Sequence, residues 1–199
     1  MAAMTRLLVA STNPGKVAEI VRLLAGLPVE VVGLEQYPDF PDIDEPHSTF
    51  QANAAHKALA AAQFAECLAL ADDSGLEVAA LAGRPGVLSA RYGRDDAERI
   101  GRLLAGLAGV CDRRARFVCV VALAGPQAPL GTWEGTVEGV ITAAPRGNNG
   151  FGFDPVFQYG DRTFAEMTSE EKNAVSHRGR ALRAFAADLP RILDECTNT

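Results

Sequence analysis

Hydrophobic and polar positions follow two different periods along this chain, and each change of period marks an element. Residues 6–12 form a short apolar run that ends in polar side chains, which predicts a buried strand. Asn13-Pro14-Gly15 turns the chain. Residues 16–27 then carry Val17, Ile20, Val21, Leu23 and Leu24 at helical spacing, and 29–34 predict a second strand. A loop rich in proline and acidic residues fills 35–47. Ser48 and Gln51 have capping-box spacing, and the alanine-rich stretch after them predicts a helix to about Glu66. Residues 67–71 read as an apolar strand that runs straight into Asp72-Asp73-Ser74-Gly75, with a short strand at 76–81 beyond. Gly83-Arg84-Pro85-Gly86 is a turn. Residues 95–107 predict an amphipathic helix, and 116–123 and 132–141 predict strands. Thr168 and Glu171 form a second capping box, after which helix, in one piece or two, runs towards a frayed end at 197–199. Strands and helices alternate early and antiparallel-looking strands come later, so the expected fold class is α/β with a mixed sheet.

Length changes this picture little: 199 residues fit one domain, or one domain with two lobes. Apolar residues make up 48%, enough for a sizeable core. The net charge of −6 argues against a general nucleic-acid-binding surface, although a local cationic pocket is compatible with it. No apolar run approaches a membrane span, and the N-terminus lacks the pattern of a signal peptide. The four cysteines, Cys67, Cys111, Cys119 and Cys196, show no C-x-x-C spacing, so zinc is not expected and a reducing cytoplasm is.

Charge chemistry is more informative than net charge. Of nineteen cationic residues only Lys16, Lys57 and Lys172 are lysine. All three sit in short polar stretches: STNPGK at 11–16, NAAHK at 53–57 and SEEKNAVSHRG at 169–179. An ammonium is a compact point charge that the flat arginine fork does not reproduce, so three retained point charges suggest a polyanion, with phosphate the obvious candidate. STNPGK lies at a strand-to-helix junction, where free N–H groups and the helix dipole favour anions. There Ser11, Thr12 and Asn13 are neutral donors, Pro14 and Gly15 shape the turn, and Lys16 brings charge. The spacing is not that of a P-loop. Asp72 and Asp73 are adjacent carboxylates that repel unless a cation or proton separates them, and magnesium accepts a few carboxylates beside substrate phosphates. Asp42, Asp44 or Glu45 of the acidic loop could complete such a set; Asn53 and Lys57 share a helix face four residues apart. The glycine-punctuated stretch 147–155, with Phe151, Gly152, Phe153 and Asp154, suits close approach to a planar base, and His177 and Arg178 can donate to a carbonyl oxygen. Taken singly, each stretch also reads as an ordinary turn or solvated helix face.

In order and spacing together, STNPGK, STFQANAAHKA (48–58), ADDSGLEV (71–78), GRPGVLSARY (83–92), GFGFDPVF (150–157) and SEEKNAVSHRG resemble the inosine triphosphate pyrophosphatase family, from Leu7 to about Phe185. The resemblance implies a long mixed sheet flanked by helices, two lobes with an active-site cleft between them, and a homodimer. It implies magnesium-dependent hydrolysis of deaminated purine nucleoside triphosphates (dITP, ITP, XTP) to the monophosphate and pyrophosphate. By it Ser11 to Lys16 hold the triphosphate, and Asp73 is both catalytic acid–base residue and metal ligand. Glu45, with Asp44 beside it and Asp72 next to Asp73, is drawn into the metal set. Ser74 touches substrate, Asn53 and Lys57 count among the substrate-binding residues, and Phe151 to Asp154, Lys172, His177 and Arg178 line the base and sugar pocket. One departure is local: the family commonly has Glu-Thr-Gly before Thr-Phe, where this chain has Glu45-Pro46-His47-Ser48. Two rivals differ in class: a pyrophosphatase for modified pyrimidine or dTTP-type nucleotides, and a nucleotide-binding regulator that does not hydrolyse.

Overall fold

The structure is a computed structural model that describes residues 4–197, with side chains described for 4–195. Asn198 and Thr199 of the expected frayed end lie outside the described residues, and Thr197 closes the last helix. Seven strands form one sheet in the order β2-β1-β3-β4-β5-β6-β7. Their spans are β1 Thr5–Val9, β2 Val29–Gly33, β3 Leu68–Val78, β4 Arg114–Ala124, β5 Pro129–Ile141, β6 Phe157–Tyr159 and β7 Arg162–Thr163. β1 pairs in parallel with β2 and β3, while β5–β6 and β6–β7 are antiparallel, so the sheet is mixed as the alternation of elements predicts. The helices are α1 Pro14–Leu24, α2 Phe50–Ala65, α3 Asp96–Gly106, α4 Ser169–Val175 and α5 His177–Thr197.

Several boundaries move for identifiable reasons. β1 stops at Val9, the last residue in register with Gly33 and Leu70, so Ser11 to Asn13 form a loop rather than the end of a strand. Asn13 caps α1 by accepting from the Lys16 N–H at 3.1 Å, and Pro14 takes the first helical position, where its missing N–H costs nothing. α2 is capped by Thr49, which accepts from the Ala52 N–H at 3.2 Å, and not by Ser48; Gln51 instead reaches Thr132. The second capping box forms as expected, with Thr168 and Glu171 exchanging side-chain and backbone bonds. Ser176 breaks the C-terminal helix in two: its backbone is extended, and its hydroxyl accepts from the Gly179 N–H at 3.1 Å, starting α5.

The largest difference is β3. The two acids were expected at a strand end, yet β3 runs unbroken through Asp72 and Asp73. β4 is as long as β3 and lies next to it, so the ladder on that side continues after β1 has ended. Successive side chains of a strand point to opposite faces, so the two carboxylates part company instead of repelling.

The chain separates into two compact units. The first takes in the chain to Asp73, Cys119–Gly135 and Arg180 onward; the second takes in Ser74–Val118 and Thr136–Gly179. In the first, Leu7 and Val9 of β1 and Leu70 of β3 meet Ile20 and Leu24 of α1 and Leu182 and Phe185 of α5. Each such side chain contributes roughly 1.5–3 kcal/mol by leaving water. The second has its own, more aromatic core. There Phe117 lies 4.6 Å from Phe157 and 5.9 Å from Phe164, centroid to centroid.

Candidate functional site

In the first unit the site grows from the place where β1 ends and β3 goes on. The loop after β1 is tightened by Ser11 N–H to Val9 O (3.1 Å) and Asn13 N–H to Ser11 Oγ (3.3 Å). This sets Lys16 in the first turn of α1, with its Nζ 3.1 Å from Asp72 Oδ2. Asn13, read from sequence as a donor, spends its Oδ1 on capping, so its amide nitrogen is the donor it offers. On the other face of β3, α2 presents Asn53 and Lys57. Asn53 is fully buried; its Nδ2 donates to Asp73 Oδ2 at 3.0 Å and to His47 O at 3.3 Å, and its Oδ1 accepts from the His47 N–H at 2.9 Å. One amide therefore ties the acidic loop to the buried carboxylate. Lys57 Nζ lies 2.5 Å from Glu45 Oε1, 2.8 Å from the Asp72 carbonyl and 3.8 Å from Asp73 Oδ1.

Burial pushes the Asp73 carboxyl above its ordinary value. Lys57, the Asn53 bond and Lys16 pull it back, while Glu45 adds to the rise. A carboxylate desolvated in this way is a better proton acceptor than an exposed one.

Glu45 and Asp73 share Lys57 as neighbour, whereas Asp44 is exposed and makes none of these contacts. Among the described residues no three His, Cys, Asp or Glu side chains gather as a ready metal cage. Two hard carboxylates, Glu45 and Asp73, nevertheless suit a hard divalent cation such as magnesium, which binds through one or two carboxylates and fills its shell with water and phosphate oxygens. Asp72, drawn into the same set from sequence, pairs with Lys16, whose Nζ lies 3.1 Å from its Oδ2.

The second unit holds a different cluster. Arg178 is 2% exposed and donates from Nη2 to Ser74 Oγ at 2.9 Å. Lys172 is buried too and pairs with Asp154 Oδ2 at 2.5 Å, and the same oxygen accepts the Phe151 N–H at 2.9 Å. Both cations lie over the Phe151 ring, Lys172 at 4.6 Å and Arg178 at 5.7 Å from its centroid. A ring flanked by two buried donors can stack on a planar group and hydrogen-bond its edge.

A profile of the Ham1 family matches residues 7–188. The chain belongs to the Ham1 family. A dITP/XTP pyrophosphatase of Syntrophobacter fumaroxidans is 50% identical over 192 residues, covering 94% of this chain and 83% of that protein. A dITP/XTP pyrophosphatase of Gloeobacter violaceus is 51% identical over 187 residues, covering 93% and 94%. The solved structure of a HAM1 protein from Coxiella burnetii superposes with a TM-score of 0.86 at 44% identity, covering 94% of this chain and all of that one.

Within this Ham1 fold the residues singled out from sequence fall into unequal positions. Lys16, Asn53, Lys57, Glu45, Asp72 and Asp73 gather in the first unit, and Ser74, Phe151, Asp154, Lys172 and Arg178 in the second. Phe153 turns into the second core, 6.4 Å from the Tyr92 ring, whereas Phe151 stays outside that core and is only partly buried. Gly152 is occupied in its own way, its N–H bonded to Asp96 Oδ2 at 2.7 Å. The His177 ring lies flat against Phe117 at 4.6 Å, within the aromatic core. Two participants had no sequence signal. Asp96 meets the glycine stretch across 56 positions, and Cys119 reaches Asp72 across 47. Asp96 opens α3 and Cys119 lies within the apolar run of β4, so neither stands out along the sequence.

Proposed function

We propose that this Ham1 protein is a nucleoside triphosphate pyrophosphatase that hydrolyses deaminated purine nucleotides (dITP, ITP and XTP) to the monophosphate and pyrophosphate. The observation that carries the reading is the buried Asp73, held by Asn53 and facing Lys57 and Glu45, in a chain about half identical to dITP/XTP pyrophosphatases. The loop from Ser11 to Asn13 and the Lys16 ammonium bind the phosphate chain at the start of α1. Asp73 accepts a proton from water as the water oxygen bonds to the α-phosphorus. The α–β bridging oxygen leaves with the bonding pair as pyrophosphate. Lys57 stands beside Glu45 and Asp73, where it balances charge as the phosphates arrive. Glu45 and Asp73 are the residues that would hold magnesium, which when bound neutralises phosphate charge.

Discrimination is assigned to the second cluster. A 6-keto purine accepts from donors such as Arg178, whereas the 6-amino group of adenine leaves them unpaired, at about 1–3 kcal/mol for each buried donor. Phe151 stacks on the ring, and the glycine backbone from Gly147 to Gly152, with Asp154 engaged by Lys172 and the Phe151 N–H, is the wall that leaves no room for the 2-amino group of guanine. The reading includes a homodimer in the cytoplasm. Among the described residues no helix is long and apolar enough to cross a membrane.

Pyrophosphate release should be measured with magnesium across dITP, ITP, XTP, ATP, GTP and dTTP. The expected result is fast release from the first three and slow release from the rest. Preference for dTTP or a modified pyrimidine would favour the first rival, and tight binding without release in a single turnover would favour the regulator.

A further inference from the structure

The two acids of the ADDSG stretch are chemically alike and adjacent, yet their direct side-chain partners differ. Asp73 faces α2, through Asn53 and Lys57. Asp72 is 2% exposed and faces α1 and β4: its Oδ2 lies 3.1 Å from Lys16 Nζ and accepts the Cys119 thiol at 3.8 Å. The pleat of β3 enforces this division, because a strand cannot direct neighbouring side chains to one face. Lys57 does touch Asp72, but through the backbone carbonyl, which a change of side chain leaves in place. A buried carboxylate needs a partner, and here the partner is the ammonium of the phosphate loop. Lys16 has a flexible four-carbon stem and no planar fork to fix its direction, so an anchor at its tip decides where its charge sits.

We infer that Asp72 is a positioning residue for the triphosphate and not a metal ligand: with Cys119 as second donor to the same oxygen, it holds the Lys16 ammonium at the mouth of the loop after β1. The inference rests on the assignment of Lys16 to the phosphate chain. It divides the acid pair by task, Asp73 for the reaction and Asp72 for the cation that receives the substrate. Cys119 gains a role beyond filling space, since its thiol donates to an oxygen that a methyl group would leave with one donor fewer.

The test is steady-state hydrolysis of dITP by Lys16→Ala, Asp72→Asn and the double variant, with the magnesium concentration for half-maximal rate and the inhibition constant for dIMP measured for each. Asp72→Asn should raise the KM for dITP by ~10-fold, the scale of one charge-assisted hydrogen bond, with the magnesium requirement and dIMP inhibition unchanged. The double variant should be no worse than Lys16→Ala. A raised magnesium requirement, or losses that multiply in the double variant, would assign Asp72 to the metal and overturn the inference. If Lys16→Ala raises KM while Asp72→Asn does not, only the positioning role fails. If Lys16→Ala leaves KM unchanged, the phosphate assignment of Lys16 fails and takes the inference with it. Should Asp72→Asn not fold, Asp72→Glu keeps the charge one methylene further out. It should raise KM with the magnesium requirement unchanged, and an altered magnesium requirement there would equally overturn the inference.

Discussion

Asp73 shows how one side chain takes its chemistry from its neighbours. Burial raises its pKa and the Asn53 amide lowers it, so the two effects can be separated by mutation. Asp73→Asn keeps the shape and removes the base; kcat for dITP should fall by ~10²-fold or more, with the thermal unfolding midpoint retained. Wild-type hydrolysis by this variant would remove Asp73 from the reaction. Asn53→Ala deletes a bond that stabilises the anion, so the acidic limb of the pH–rate profile should move to higher pH. A limb that stays put would mean that another group sets it. The stability linkage has the opposite sense to that of an ion-paired aspartate. In the metal-free protein a raised carboxyl pKa means that the folded state holds a proton the unfolded chain has lost. The charged form therefore costs stability above the folded pKa. That cost is relieved as pH falls through the folded value and is fully gone below the unfolded one. Asp73→Asn should flatten this dependence, as urea unfolding at a series of pH values would reveal.

At the scale of elements, β3 was only half legible. Its first residues are apolar and announce a strand, but two acids, a serine and a glycine resemble a turn by every local rule. They stay in the strand because β4 continues beside them and because each acid finds a partner of its own, Lys16 for Asp72 and Asn53 for Asp73. The α4–α5 junction was legible in kind but not in position, since the Ser176 hydroxyl reads equally as a mid-helix residue. The glycine stretch follows a simpler rule. Gly150 has φ +76°, and a Cβ there would run into Asp154 Oδ2, the oxygen that pairs with Lys172. Gly150→Ala should cost about 1–3 kcal/mol from backbone strain alone and should disturb the Asp154–Lys172 pair. Urea unfolding gives the first quantity, and the ratio of kcat/KM for dITP over dGTP gives the second. An unstrained variant with an unchanged ratio would contradict both the turn geometry and the base assignment.

Over the whole molecule, the proposed reading gives the two units different chemical tasks, which can be probed independently. Arg178→Ala removes a buried donor from the second unit. It should narrow the gap in kcat/KM between ITP and ATP, chiefly by slowing ITP, while the effect of Lys16→Ala on triphosphate binding stays the same in its presence. An unchanged ITP-to-ATP ratio would move base readout to the backbone. The sequence by itself singled out the candidate residues: three lysines in an arginine-rich chain, an acid pair after an apolar strand, a glycine stretch with a ring and a carboxylate. Those are signals of residue type and short spacing, and they survive without coordinates. It also determined the α/β class, because strand and helix periods are local. What only the tertiary structure decided was partnership. Asp72 and Asp73 look interchangeable in sequence and are separated by the pleat. Phe151 and Phe153 look interchangeable and are separated by which one the second core takes. Asp44 and Glu45 stand side by side, and only the reach of Lys57 from α2 selects Glu45. Each choice depends on a residue far away in the chain brought near by packing, and no pattern of neighbours along the sequence encodes that distance.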